Sequence, residues 1–250
     1  MPPAYDAAYY RREIGVDEMR RFSTHWWAAR YYALVSRRVL RRSGGRRVLD
    51  IGCAHGWTLA WLEDEFETYG VDLSEYAIGR AREIASRSQL RVHDVTAGLP
   101  ADLPALDLVL MKYVLEHLPD PGATLRQVAA GIAPGGALLF AVPNTASPGR
   151  RMKGPQWFAA LDPTHCSLLA PDEWTRLARA AGLIVERTWG DGLWDAPYVR
   201  GVPRLLQHAV FAGPTIAEVL VGGRFLPARW GENLLVLARK PRAGAAQAAP

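Results

Sequence analysis

The feature that most constrains this chain is a series of short, almost wholly apolar runs, "RVLDI", "YGVDL", "DLVLM" and "ALLFAV", separated by stretches of helical character. A strand with no polar alternation has no face to show to water, so these runs need cover on both sides, which implies a parallel sheet between layers of helices. The spacing predicts strands at 47–51, ending at Val71, at 90–93, 106–111, 137–142, 183–188 and 233–239, with helices near 57–65, 74–87, 123–132 and 171–181. Ahead of them, Met19, Phe22, Trp26, Tyr31, Leu34, Val35 and Val39 describe an amphipathic helix from Asp17 to about Arg42, closed by Ser43-Gly44-Gly45. The expected architecture is α/β, Rossmann-like and doubly wound.

After Val142 the alternation stops. Residues 143–170, rich in Pro, Gly and Ser, read as a lid, since connections this long are seldom filler. Residues 190–231 read as a cap inserted before the last strand and 241–250 as a disordered tail, leaving 1–45 as a helical cover and 46–240 as the main domain. The net charge of +5 rests largely on arginine pairs such as Arg37-Arg38 and Arg46-Arg47. Without interleaved aromatics these read as solvated helix faces, not a nucleic-acid groove. Cys53 and Cys166 lie far apart with no metal spacing, which predicts no zinc site, no disulfide framework and a reducing, cytoplasmic setting. The first residues lack the apolar core of a secretory leader, and no stretch has the length and apolarity of a membrane span.

Behind the first strand comes "VLDIGCAHGW". A dinucleotide turn wants glycine at its first, third and sixth positions, which here are Gly52, Ala54 and Trp57. Trp57, where helix and strand should pack closely, argues against nicotinamide. The pattern present is Asp50-x-Gly52-x-Ala54-x-Gly56, with small residues at alternate positions that keep side chains off a ligand facing the turn's N–H groups. Asp72 ends the next strand, where an α/β sheet places a carboxylate on ribose hydroxyls. Asp94 ends the third, positioned for an adenine amino group between Leu73 and Val95. Each acid could instead cap the turn that follows it; all three strand ends carrying the right residue favours a nucleoside pocket.

These stretches, with "YGVDLSEYAIGRAR", "LDLVLMKYVLEHLPDP", "APGGALLFAVPN" and "DPTHCSLLAPDEWTRLARAAGLIVE", resemble the class I S-adenosylmethionine-dependent methyltransferases, in the branch acting on small molecules. The resemblance covers roughly residues 46–189 and implies a mostly parallel seven-stranded sheet with an antiparallel last strand. It implies S-adenosylmethionine as cofactor, with Gly52 and Cys53 against its methionine part, Asp72 on the ribose, Asp94 and Val95 on adenine, and Met111 and Lys112 lining the floor near the sulfonium. Ala54 departs from the glycine usual there.

Methyl transfer from a sulfonium needs alignment and desolvation more than an oxyanion hole, but a hydroxyl or protonated amine must also lose a proton. His165, in the lid's "LDPTHCSLL", is the best candidate base, with His117 of "VLEHLPDP" second and a structural or cofactor-side role its alternative. His55 reads as a turn residue, His93 as core, and nothing distinguishes His25 or His208. Tyr10, Trp27, Trp157 and Phe158 are candidate stacking surfaces for an acceptor and Arg151 a partner for an acidic group on it; core filling and solvation are the alternatives. The acceptor is expected to be a small, partly aromatic molecule methylated on O, N or C. A nucleic-acid methyltransferase would need an Asn/Asp-Pro-Pro-aromatic set after the fourth strand, which "MKYVLEHL" lacks, and no acidic cluster suggests metal assistance. A domain that binds the cofactor without turnover is the other alternative. The sequence leaves monomer and homodimer both open.

Overall fold

A computed structural model describes residues 6–10 and 23–242. The elements are α1 (Ala7–Tyr9), α2 (Thr24–Ser43), β1 (Arg47–Ile51), α3 (Trp57–Ala60), β2 (Glu67–Asp72), α4 (Glu75–Ile84), β3 (Gln89–Val92), β4 (Leu106–Lys112), α5 (Pro121–Gly131), β5 (Ile132–Pro143), α6 (Pro148–Lys153), α7 (Phe158–Leu161), α8 (Pro171–Ala180), β6 (Ile184–Gly190), α9 (Arg204–Phe211), α10 (Gly213–Val221) and β7 (Asn233–Arg239). The strands form one seven-stranded sheet in the order β3-β2-β1-β4-β5-β7-β6. Neighbours from β3 to β5 are parallel, and β7 runs antiparallel to both β5 and β6. The Rossmann-like sheet and its antiparallel last strand are therefore as expected.

The register positions the site. Ile51 stands level with Val71 on one side and Met111 on the other, so β1, β2 and β4 end together. Strand order reverses at β1, between β2 and β4, which places a crevice at the carboxyl ends of the strands. Helices α5 and α8 cover one face through Leu125, Val128 and Trp174 against Val109, Phe140 and Val236. On the other, α2 lays Tyr32, Val35, Val39 and Leu40 over Val48, Leu108, Leu139 and Leu235. Ser23 caps α2 by accepting from the Trp26 N–H at 3.2 Å, and Gly44 ends it in a left-handed conformation with φ of 73°. The expected start of this helix at Asp17, with Met19 and Phe22, and the tail from 243 onward lie outside the described residues.

Several boundaries differ from expectation. Helix α3 stops at Ala60 and continues as turns to Phe66. Helix α5 starts at Pro121 because Asp120 accepts from the Ala123 N–H at 2.8 Å and proline suits the first helical position. The lid is folded into α6 and α7 and tied down at its base. Glu232, fully buried, accepts from Trp157 Nε1 at 2.8 Å, Tyr198 Oη at 2.6 Å and Ser147 Oγ at 3.2 Å. The cap contributes α9 and α10, which leave Leu205, Val210 and Ile216 exposed, and it docks on α2 where Tyr31 Oη donates to the Gly223 carbonyl at 3.1 Å.

Beneath the crevice, Lys112 of β4 donates to both carboxylate oxygens of Asp50 in β1. Asp50 is fully buried and the Lys112 side chain 12% exposed. Removing one partner of such a pair leaves an uncompensated charge, so Lys112→Met is expected to lower stability by about 3–5 kcal/mol in urea unfolding. The double variant Asp50→Asn/Lys112→Met should recover much of that loss; a double variant as unstable as Lys112→Met would contradict the pairing.

Candidate active site at the carboxyl edge of the sheet

The loop after β1 is sewn to β2 through its backbone. Both Gly52 and Cys53 donate N–H groups to the Val71 carbonyl, at 2.8 and 3.1 Å. Gly52 sits at φ 68°, and a Cβ there would stand 2.4 Å from Val114 Cγ2, so glycine is what lets the loops after β1 and β4 touch. Ala54 and Tyr113 are the non-glycine residues at positive φ among the described residues, at 47° and 57°. Both lie on this crevice, where strained backbone tends to collect. Ala54, at the position where glycine was expected, is held there because its N–H donates to Asp72 Oδ2 at 2.9 Å.

Asp72 is also bound by the Ser74 N–H, through Oδ1 at 2.9 Å. Burial pushes its carboxyl above the usual range, and the two N–H donors oppose that shift. Each carboxylate oxygen has a second lone pair for a ligand hydroxyl. Next to this buried acid, Leu73 is 42% exposed, while Val95 is buried. Asp94 is exposed and caps the following turn, Oδ1 accepting from Thr96 N at 2.8 Å and Thr96 Oγ1 at 2.7 Å. Gly56, at φ 77°, admits α4 closely, since a Cβ would lie 3.1 Å from that of Ala81. Cys53 is buried, which pushes its thiol pKa up. Met111 is fully buried in the core and the Lys112 ammonium is turned to Asp50, so these two and Asp50 support the crevice from beneath.

On the side away from β2, the Tyr113 hydroxyl lies 3.1 Å from that of Tyr32 and accepts from Asn233 Nδ2 at 3.2 Å. Asn233 in turn donates to Asp191, from its backbone at 2.9 Å and its side chain at 2.6 Å, and Trp194 Nε1 donates at 2.8 Å. Burial outweighs these donors and pushes Asp191 up to about 7. The candidate acceptor contacts separate. Tyr10 is buried over the glycine loop, its ring 5.0 Å from His55 and 5.9 Å from Tyr76. His55 thus packs the turn. Trp27 stacks edge-on with Trp26 at 4.7 Å under the Arg30 guanidinium, and Arg151 is an exposed residue of α6. Phe158 bridges Trp157 and Trp194 at 5.1 and 4.9 Å. Trp157 itself is 1% exposed because Glu232 takes its indole N–H, a position in the base of the lid and not on an open wall.

The two candidate histidines do come together, with ring centroids 4.7 Å apart. They meet because the lid end folds onto the loop after β4: Cys166 and Ser167 donate N–H groups to the Glu116 carbonyl at 3.0 and 2.9 Å. His165 Nδ1 lies 2.8 Å from the Ala159 carbonyl, and His117 Nδ1 lies 2.8 Å from Thr164 Oγ1. Burial, reinforced by His165, pushes His117 down to about 4. Burial likewise pushes Glu116, between the histidines and the core, up to about 8. Glu116, Asp162, Tyr113, Asp191 and Asn233 escaped the sequence reading. "VLEH" and "LDPTH" contain two of them, but only the folded lid shows that these motifs meet.

Residues 23–188 match the sequence family described as "Methyltransferase domain". A "Probable S-adenosylmethionine-dependent methyltransferase" of Mycolicibacterium smegmatis is 31% identical over 84% of this chain and 77% of its own length. A "Ubiquinone biosynthesis O-methyltransferase" of Azoarcus is 34% identical over 56% of this chain and 64% of its own length. Among solved structures, the magnesium protoporphyrin IX methyltransferase of Synechocystis with bound S-adenosylhomocysteine has a TM-score of 0.60 at 16% identity, covering 96% of this chain and 97% of that one.

Asp191 gives a pH dependence with a definite sign. Its folded-state pKa of about 7 lies above the ordinary value of about 3.9, so the folded protein holds a proton there that the unfolded chain has lost. The resulting stability is full below about pH 4 and is lost as pH rises to about 7. Asp191→Asn is expected to flatten the stability profile across that window, measured by urea unfolding at each pH; an unaltered slope would contradict the burial argument.

Proposed function

Because the chain belongs to the methyltransferase-domain family and is an S-adenosylmethionine-dependent methyltransferase, we propose that it methylates an oxygen of a small, partly aromatic acceptor held between the glycine loop and the lid. The observation that carries this reading is the contact of Gly52 with Val114, which brings the cofactor loop against the segment bearing Glu116 and His117. The crevice also fits the cofactor. Small residues at 52, 54 and 56 leave one face of the loop bare, and an exposed Leu73 beside a buried carboxylate suits an adenosyl group with its ribose hydroxyls.

S-adenosylmethionine, when bound, supplies a methyl group on a sulfonium sulfur that departs in line as the acceptor attacks. Within this reading Asp72 holds the ribose hydroxyls, Leu73 and Val95 flank the adenine, and Asp94 takes its amino group. The backbone of 52–56 faces the methionine part. Tyr10, lying over His55, keeps water from the loop, and Phe158 and Trp194 offer ring faces to the acceptor. The acceptor's proton leaves through the cluster on the lid side. A carbonyl cannot donate, so the His165 ring carries its hydrogen on Nδ1, toward Ala159, and Nε2 is the nitrogen with the lone pair. The Azoarcus relative named an O-methyltransferase favours oxygen as the target.

Calorimetry with S-adenosylhomocysteine tests the cofactor half: Asp72→Ala should weaken binding by about 10–100-fold, the worth of hydrogen bonds to a charged group. Undiminished affinity would move the ribose elsewhere. For the acceptor half, His165→Ala should lower methyl transfer to a panel of phenols and enols by about 100-fold or more while cofactor affinity is kept. Wild-type turnover in that variant would remove His165 from the chemistry.

A further inference from the structure

The cap is built inside out. Helices α9 and α10 each bury one side chain, and in each it is polar. Gln207 accepts from the N–H groups of Tyr198 and Val199 and donates to the carbonyls of Val199 and Val202. Glu218 accepts from the N–H groups of Phe225 and Leu226, at 2.7 and 3.1 Å. A residue two positions along a helix points to nearly the opposite side, and those places are held by Leu205 and Ala209 about Gln207, and by Ile216 and Leu220 about Glu218. All four are exposed, Leu205 to 83%. Leu206, Val210, Val221 and Phe225 are more than half exposed beside them. A helix that meets water turns its apolar stripe inward, so an apolar face of this extent marks a surface meant for something other than water.

The charge on this face is of one sign. From Ala196 to Gly231 the sequence holds four arginines, no lysine and a single acid, the buried Glu218. Each arginine is next to an exposed apolar side chain: Arg200 to Val199, Arg204 to Leu205, Arg224 to Phe225 and Arg229 to Trp230. Burial, with Arg187, Arg42 and Arg38 nearby, pushes the Arg224 guanidinium down, which marks cations crowded together at the end of α10. Two caps set face to face would oppose these arginines with no exposed acid from either cap to pair them; a layer of lipid phosphates would pair them all. No helix among the described residues is long and apolar enough to cross a membrane. Helices of eight and nine residues rise only ~12–14 Å, so their fit is along a bilayer and not through it.

We propose that the cap docks on an anionic phospholipid bilayer, with Leu205, Val210, Ile216 and Leu220 entering the head-group boundary and the four arginines meeting the lipid phosphates. Trp230, half exposed, suits the same boundary. The apolar side chains supply the adhesion and the arginines its preference for negative lipid. The docking face shares no residue with the crevice and does not depend on the methyltransferase reading. The sequence expectation of no membrane span concerns crossing a bilayer, and an inverted helix pair on its surface carries no such signal.

The test sediments full-length protein with sucrose-loaded vesicles of phosphatidylcholine alone and of an equal mixture with phosphatidylglycerol. The expected result is binding at least about tenfold tighter to the mixed vesicles, weakening as salt is raised. Leu205→Asp/Val210→Asp should lower affinity for the mixed vesicles by about 100-fold, and Arg200→Gln/Arg204→Gln by about 30-fold. All four positions are exposed, so each variant is expected to unfold at the wild-type temperature and to bind S-adenosylhomocysteine as the wild type does. Wild-type protein that stays in the supernatant with mixed vesicles, or sediments equally with both kinds, would overturn the proposal. So would full binding by Leu205→Asp/Val210→Asp. In the absence of vesicles, a dimer at sedimentation equilibrium that the same variant dissociates would also overturn it and assign the face to a second copy.

Discussion

The ion pair between Asp50 and Lys112 stands under everything the crevice does. It joins neighbouring parallel strands at the point where strand order reverses, and it does so with Asp50 fully out of water. Burial pushes the Asp50 carboxyl up and the Lys112 ammonium opposes that shift, so each residue makes the other's position tolerable. Such pairs often add little net stability compared with apolar side chains of the same volume. What this one supplies is register: it ties the ends of β1 and β4 together, so that the loops beginning at Gly52 and Tyr113 leave the sheet side by side. Gly52 then meets Val114 with no room for a side chain between them.

From that fixed edge the two halves of the site are built by different means. The half proposed for the cofactor depends on backbone, with the glycine loop bonded to the Val71 carbonyl and to the Asp72 carboxylate. The half proposed for the acceptor depends on the lid. Glu232 gathers Trp157, Tyr198 and Ser147 at the lid's base, and the Glu116 carbonyl captures its far end. Between these ties the Asp162–His165 turn is delivered onto His117. A lid tied by a buried carboxylate at its base and by a backbone carbonyl at its far end has few places where its position could slip without stranding one of them.

The parts of this design that were legible in the sequence are the local ones. Continuous apolar runs announced the parallel strands, and the alternation of small residues at 52, 54 and 56 announced a loop that a ligand could approach. Strand-end acids at 72 and 94 marked a nucleoside pocket, although Asp94 also serves as an ordinary turn cap, the reading each acid left open. What escaped was every feature whose partner is remote in the chain. Lys112 reads as a floor residue until its partner 62 residues away is seen. Trp157 reads as a stacking surface until Glu232 claims its N–H, 75 residues on. Glu116 draws no notice in "VLEH" until the lid returns to its backbone carbonyl through Cys166 and Ser167. Proline and glycine in 143–170 suggested an irregular lid, but Pro148 and Pro155 sit at the starts of helical turns, where proline is well tolerated.

We propose that the carboxyl edge of β1, β2 and β4 is the cofactor pocket, with its methyl-bearing end toward the lid. A crystal structure of the protein with S-adenosylhomocysteine tests it most directly. The expected density shows the ribose hydroxyls on the Asp72 carboxylate, the adenine between Leu73 and Val95, and the sulfur directed toward the loop that carries Tyr113 and Glu116. Density for the nucleoside anywhere else on the sheet, or a sulfur directed away from that loop, would contradict the account.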